Sequence, residues 1–174
     1  EKKVLNTFCY TGGFSVYALS NGAIEVHSVD SSKPAIELTD KNISLNFGEN
    51  SKHKSYCEDV FEFIGKSEKY FYDIIILDPP AFAKHQDALK KALRGYMNLN
   101  LLALEKIKSG GLIFTFSCSQ IVSKEDFRKA VFEASAAAGR NVKIIHQLTQ
   151  PADHPVNIFH PESEYLKGLV VYVE

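Results

Sequence analysis

No apolar run in this sequence approaches the ~20 residues that a membrane-spanning helix needs, so no segment reads as an integral membrane anchor. Charge of one sign is not in excess either. The 20 Lys and Arg residues face 21 Asp and Glu, a formal net charge of −1, and that balance carries no global basic field to draw in nucleic acid. The three cysteines, Cys9, Cys57 and Cys118, are odd in number and show no CxxC or other metal-ligand spacing. They read as free thiols in a reduced, cytoplasmic setting, and no metal is expected. No segment of signal-peptide form opens the chain, and internal repeats and low-complexity tracts are missing. The glycine fingerprint GxGxxG is absent from the first loop, because Phe8 and Tyr10 stand where its glycines would be. That counts against a pyrophosphate-binding dehydrogenase, which needs a bare helix N-terminus for its anion.

What is present suits one soluble domain. The 174 residues are 45% hydrophobic and 24% charged, and a domain of this size buries roughly 70% of its unfolded surface without staples. Short apolar runs alternate with helical patterns from end to end. Strands are expected at Val4-Leu5, Ala23–Val29, His53–Cys57, Tyr72–Leu77, Leu112–Phe116, Val142–Leu148 and Leu166–Val173. Helices are expected over Phe14–Leu19, from the Ser31-Ser32 caps to about Asn46, over Val60–Ile64, in the stretch before Lys108, and from the Ser123/Asp126 capping box to Gly139. Ser109-Gly110-Gly111 reads as a turn, and residues 149–163, with three prolines, as a loop. The alternation implies βαβ crossovers and a mostly parallel sheet, an α/β fold. No helix separates the last two strands, so the final one is expected to run antiparallel.

Open α/β sheets bind ligands beyond the carboxyl ends of their strands. The expected strands deliver Asn6 and the loop TFCYTGG, then Asp30, Asp59, Asp78-Pro79-Pro80 and Cys118 to that rim. Asp30 follows Asn6 by 24 positions, near the ~20-residue offset at which an acidic group meets ribose hydroxyls. Helix capping is the plainer use of Asp30 and Asp59. Gly12-Gly13 permits close backbone approach ahead of the first helix. Two prolines stiffen the turn that aims Asp78 outward, and Phe82 can stack on a planar base or sit as an ordinary surface side chain. Lys84, Lys90, Lys91 and Arg94 crowd into eleven residues with only Asp87 opposing them. They suit phosphates or a solvated helix face. Cys118 stands between Ser117 and Ser119 where a buried strand ends. It is either a small core residue or a thiol held for use.

The motifs VLNTFCYTGGF, VDSS, ED, DPPAF, RGY (94–96), SGG, FSCS, AGR (138–140), ADHP (152–155) and YLKG (165–168) span the chain in order. Together they resemble class I S-adenosylmethionine-dependent methyltransferases, and more narrowly the bacterial ribosomal RNA large-subunit methyltransferase I family, which makes 5-methylcytosine in 23S rRNA. The resemblance implies a Rossmann-like, seven-stranded, mostly parallel sheet with helices on both faces and the last strand antiparallel. It implies S-adenosylmethionine held by Asn6 and the loop of Phe8, Tyr10, Thr11, Gly12 and Gly13, with Asp30 and Ser31 at the ribose. Asp59 and Val60 would flank the adenine, and Asp78 would lie near the methionyl part and the target base. Pro79, Pro80, Phe82, Lys84 and Arg94 are the implied substrate contacts. Full-length members carry an N-terminal RNA-binding region, so residues 1–174 are expected to be a catalytic domain whose partner is 23S rRNA or a large-subunit precursor particle.

The same resemblance gives Cys118 a task. Carbon 5 of cytosine is a poor nucleophile, and a thiolate adding to carbon 6 makes it enamine-like. Asp78 can then hydrogen-bond or protonate the ring nitrogen. Cys9 is the competing thiol on the rim and is expected to pack there, and Cys57 is expected to be structural. His154 and Lys167 receive no role. Two rivals differ in what they need. A guanine-nitrogen methyltransferase of the same fold needs no nucleophile, and an inactive adaptor needs no methyl donor.

Overall fold

The computed structural model describes residues 1–49, 52–83 and 85–174. Its elements alternate as the apolar periodicity requires. Strand β1 (Lys3–Thr7) leads to helix α1 (Gly13–Ser20), then β2 (Glu25–Asp30), α2 (Lys33–Phe47), β3 (His53–Cys57), α3 (Val60–Lys66) and β4 (Tyr72–Leu77). After a single 3₁₀ turn come α4 (Leu89–Lys106), β5 (Ile107–Ser117), α5 (Lys124–Ala138), β6 (Val142–Leu148) and β7 (Lys167–Val173). The seven strands form one sheet in the order β3-β2-β1-β4-β5-β7-β6. Strands β1 to β5 are mutually parallel, so their carboxyl ends share one edge, and β7 runs antiparallel to both β5 and β6. No helix among the described residues is long and apolar enough to cross a membrane.

Alternation along the strands divides the core in two. Leu5, Ile75, Leu77, Ile113 and Val171 point to one face, where Phe63 and Ile64 of α3, Leu99 of α4 and Phe127 of α5 cover them. Val4, Val26, Ile76 and Phe116 point to the other, against Ala18 and Leu19 of α1. Burial on both faces is why β4 reads as the unbroken run YDIIIL. The caps are local. Ser32 accepts from the Ala35 amide, Asp59 from Glu62 and Ser123 from Asp126, while Gly48 and Gly139 end α2 and α5 with positive φ.

One expectation changes. Ser109-Gly110-Gly111 does not simply turn the chain into a strand. Strand β5 begins at Ile107, which pairs with Tyr72, and the register slips before Ile74 pairs with Leu112. The two glycines sit in that bulge, and Gly111 already pairs with Val173 of β7. At the far end of β7, Gly168 is a close-approach residue. A Cβ there would lie 2.8 Å from two Phe116 ring carbons and 2.9 Å from Leu148 Cβ. Gly168→Ala is therefore expected to destabilise the fold by about 1–3 kcal/mol through overpacking, read as a lowered urea midpoint. An unchanged midpoint would contradict this packing.

Candidate active site

The loop after β1 is built under strain. Phe8 and Tyr10 have φ of 52° and 48°, and Gly12 has 78°. Two bulky residues thus occupy the left-handed region normally left to glycine, at about 1–2 kcal/mol each. The loop reaches positive φ at three positions, only one of them a glycine. The missing fingerprint therefore does not mean a missing loop. Neighbours hold the path in place. Asp30 at the end of β2 accepts from the Tyr10 amide at 3.0 Å and the Ser32 amide at 2.9 Å, one on each carboxylate oxygen. Helix α2 grips from behind, where Thr39 Oγ1 donates to the Tyr10 carbonyl (3.0 Å) and Asn42 Nδ2 to the Thr11 carbonyl (2.8 Å). Thr39 and Asn42 were not singled out in the sequence, although their three-residue spacing puts both on one helix face. A Cβ at Gly12 would sit 2.7 Å from Thr39 Cγ2, so only glycine fits between loop and helix.

Beneath this loop runs a buried polar chain. Asn6 Nδ2 donates to Ser15 Oγ (2.9 Å), Ser15 and Ser28 share a hydroxyl hydrogen bond (2.7 Å), and Ser28 meets His53 Nε2 (2.8 Å). The other end of the Asn6 amide, Oδ1, is buried with no partner. Such an acceptor is costly to leave unmade, and it lies under the loop with Asp30 at the loop's edge. Gly13, the first residue of α1, meets nothing within 4 Å of where a Cβ would be. An orphaned acceptor, a strained cradle and a half-exposed carboxylate fit an adenosyl ligand with a cationic end.

Other rim residues fall out as follows. Asp59 caps α3, which is the plainer of its two expected uses, and remains exposed. The Val60 side chain is 2% exposed and lies in the core, so it has only backbone to offer a ligand. Ser31 is exposed, and its carbonyl faces the Cys57 thiol at 3.7 Å. Cys57 itself is exposed at the end of β3 rather than built into the interior. Cys9 is buried against Thr39 Oγ1 at 3.6 Å, and burial first, with Asp30 and Asp40 adding to it, pushes its thiol up to about 11. It packs, as expected, and is poorly suited to act as a thiolate.

The Asp-Pro-Pro turn and the FSCS turn are fastened together by serine. Ser119 is 1% exposed, and its Oγ accepts from the Ala83 amide (3.4 Å) and shares a hydrogen bond with the Tyr96 hydroxyl (3.0 Å). Ser117 is fully buried and its Oγ accepts from the Ser119 amide at 3.4 Å. The hydroxyls on either side are pins, and between them Cys118 is left half-buried at the rim. Its thiol points to the Pro79 carbonyl at 3.8 Å and lines a cleft of about 290 Å³ with Ala81, Ala83, Gln120, Ile121 and Tyr165. Tyr165, Gln120 and Ile121 were not anticipated; they enter the cleft from the turn after β5 and the approach to β7. Asp78 is open to solvent, yet the protein around it raises its carboxyl above the ordinary value by desolvation. Cys118 is raised by burial first and then by the Asp78 charge, against its own backbone amide and the Lys167 ammonium. The Asp78 charge therefore reaches the thiol.

Phe82 departs from its expected use. Its ring packs 4.6 Å from the Tyr96 ring and 6.3 Å from Phe61, and it faces Gly95 so closely that a Cβ there would come within 3.0 Å. It is a wedge between loop and helix, not a free stacking face. The motif RGY is thereby explained, with Gly95 admitting Phe82, Tyr96 reaching Ser119, and Arg94 exposed on α4 beside Lys90 and Lys91. Pro79 is buried and Pro80 exposed. Lys84 lies outside the described residues. His154 is exposed in the loop before β7 and pairs with Asp153 at 3.4 Å.

Comparison with known proteins identifies the family and the fold. A family of sequences described as S-adenosylmethionine-dependent methyltransferase matches residues 1–168. A ribosomal RNA large subunit methyltransferase I from Tolumonas auensis is 46% identical across 98% of this chain and 44% of its own length. One of the same name from Aeromonas hydrophila is 44% identical across 98% of this chain and 43% of its own. The chain thus spans less than half the length of these curated relatives. A methyltransferase crystallised in complex with SAH superposes with a TM-score of 0.83 at 29% identity, over 98% of this chain and 44% of that one. A second methyltransferase structure, from Streptococcus mutans, gives 0.82 at 28% identity over the same shares.

Proposed function

This chain belongs to the S-adenosylmethionine-dependent methyltransferase family, and we propose that it methylates carbon 5 of a cytosine in large-subunit ribosomal RNA through a covalent adduct on Cys118. The observation that carries the reading is a half-buried thiol pinned by two buried serines on the same rim as the Asp30 loop. A methyltransferase acting on nitrogen has no use for such a group. The names of the relatives support ribosomal RNA as substrate, and the free thiols suit a reducing, cytoplasmic setting. Residues 1–174 are read as the catalytic domain.

S-Adenosylmethionine, when bound, supplies an electrophilic methyl group to the activated carbon 5. Asn6 Oδ1 and the Phe8–Gly13 backbone would hold its amino-acid part and Asp30 its ribose. Asp59 and the Val60 backbone would flank its base, beside Ser31. On the other side, the Cys118 thiolate adds to carbon 6 of a cytosine taken out of its stack, and the new C–S bond pushes electron density onto carbon 5 and the ring nitrogen. Asp78, lifted toward the protonated form, donates to that nitrogen and steadies the charge. Once carbon 5 carries the methyl group, loss of its proton drives out the thiolate and restores the ring. Pro79 and Pro80 fix the turn that carries Asp78, Phe82 seats it on α4, and Arg94 with Lys90 and Lys91 offers charge to phosphates.

Two measurements follow. Large-subunit ribosomal RNA treated with the protein and labelled S-adenosylmethionine should yield 5-methylcytidine on nucleoside digestion. Labelled N-methylguanosine in its place would sink the reading. The reactivity of Cys118 should also depend on pH in a definite direction. Thiolate is lost as pH falls, and the Cys118 thiol lies above its ordinary value. Methylation also draws on a proton from Asp78, whose titration opposes that of the thiol. The cleaner readout is therefore alkylation of Cys118 by iodoacetamide, which needs the thiolate alone. Its rate is expected to rise about tenfold per unit from pH 6 to pH 8, with no plateau until above the ordinary thiol value of about 8.5. An alkylation rate flat from pH 6 upward would count against a thiol that titrates there.

A further inference from the structure

We propose that Lys167 is a positioning residue for Cys118, holding the turn behind the thiol and lending its thiolate a positive charge; this rests on the reading of Cys118 as nucleophile. Lys167 opens β7 directly opposite Ser117 in the antiparallel register. It is 7% exposed, unusual for a lysine without a carboxylate partner. Among the described residues it forms no ion pair. Its ammonium instead donates to the Ser119 carbonyl at 2.5 Å and the Tyr165 carbonyl at 2.7 Å. One carbonyl belongs to the turn that carries Cys118, and the other to Tyr165, which lines the cleft with that thiol. The Ser119 carbonyl also receives the Val122 amide at 3.1 Å, closing the turn in which Cys118 sits.

Burying an ammonium is costly unless something uses the charge. The other buried lysine shows what a structural use looks like. Lys106 donates to the carbonyls of Gly65 and Ser67 at 3.0 and 2.8 Å, at the C-terminal end of α3, where the helix dipole favours a cation. No helix ends at Lys167. What lies near it is a thiol that burial and Asp78 both push toward its protonated form, and Lys167 is the one side-chain cation among the described residues that opposes them. The reverse holds as well: burial lowers the Lys167 ammonium, the Cys118 charge raises it, and Lys124 of α5 lowers it. Lys124 is itself paired with Glu164 at 2.5 Å. The groups facing the thiol are thus Asp78 from the turn after β4 and Lys167 from β7, with Lys124 acting through the latter.

The test is the pH profile of iodoacetamide alkylation at Cys118, read by peptide mass so that exposed Cys57 does not contribute. In Lys167→Met the rate at pH 7.5 should fall by about 3- to 10-fold and the profile should move to higher pH. In Lys167→Arg, which keeps the charge, it should stay within about twofold of the unaltered protein. A Lys167→Met profile that overlays the unaltered one overturns the proposal, because a merely structural lysine would change stability and leave the thiol's titration alone. Should Lys167→Met fail to fold, the unaltered protein answers instead. With ¹³C-labelled lysine, the Lys167 ε-carbon resonance should move with the Cys118 titration and lose that inflection in Cys118→Ser. A resonance that ignores the thiol overturns the proposal equally. Neither readout uses methyl transfer, so a failure here is separable from a failure of Cys118 as nucleophile, which would appear as an active Cys118→Ala protein.

Discussion

Cys118→Ala is expected to lower the rate of RNA methylation by at least about 10³-fold while leaving S-adenosylmethionine affinity within about twofold. Covalent catalysis divides one difficult step into two easier ones, and removing the nucleophile leaves no slower version of the same path. The donor loop is fastened by Asp30, Thr39 and Asn42, none of which touches the thiol in the structure, so donor binding should survive. The fold should survive as well, since Ser117 and Ser119 carry the turn's hydrogen bonds. Single-turnover methylation and calorimetry with S-adenosylmethionine read the two halves separately. Methylation retained within tenfold would mean a nitrogen acceptor, and lost donor binding would mean that Cys118 supports the site rather than reacting in it.

Asp30→Ala is expected to raise the dissociation constant for S-adenosylmethionine by at least about 100-fold. Hydrogen bonds to a charged acceptor are worth about 1.5–3 kcal/mol each, and Asp30 has two uses to lose. One is the ribose. The other is the Tyr10 amide, whose left-handed backbone depends on that carboxylate. Asp30→Asn keeps one carbonyl acceptor and should fall between the two. Calorimetry checks the series, and an Asp30→Ala protein that binds within threefold of the unaltered one would remove Asp30 from the site.

Much of this site was legible in the sequence because strands of a parallel sheet end on one edge. Alternation of apolar runs and helical patterns is enough to put Asp30, Asp59, Asp78 and Cys118 on that edge. The antiparallel last strand followed from the missing crossover helix. What was not legible depended on pairings across long stretches of chain. Strand β7 inserts between β5 and β6, which chain order does not disclose. Lys167 is buried because its acceptor at Ser119 lies 48 positions away, and a lysine read locally belongs at the surface. Phe82 looked free to stack because Gly95, the residue that receives it, belongs to the following helix. The first loop misled in another way. A glycine pattern reports a backbone conformation only when the chain obeys the usual preference, and here Phe8 and Tyr10 take that conformation without glycine. The serines beside Cys118 were visible as letters, but their burial, which makes the cysteine the exposed member of the three, was not.

The most direct examination of the whole account is a trapping reaction. Large-subunit ribosomal RNA containing 5-fluorocytidine is incubated with the protein and S-adenosylmethionine, digested, and searched by mass for peptide–nucleotide conjugates. Fluorine cannot leave carbon 5 as a proton does, so a sulfur already joined to carbon 6 stays there. The expected product is a methylated fluorocytidine linked to the peptide that carries Cys118. No conjugate from RNA whose unfluorinated form is methylated, or a linkage at Cys9 or Cys57, would contradict it.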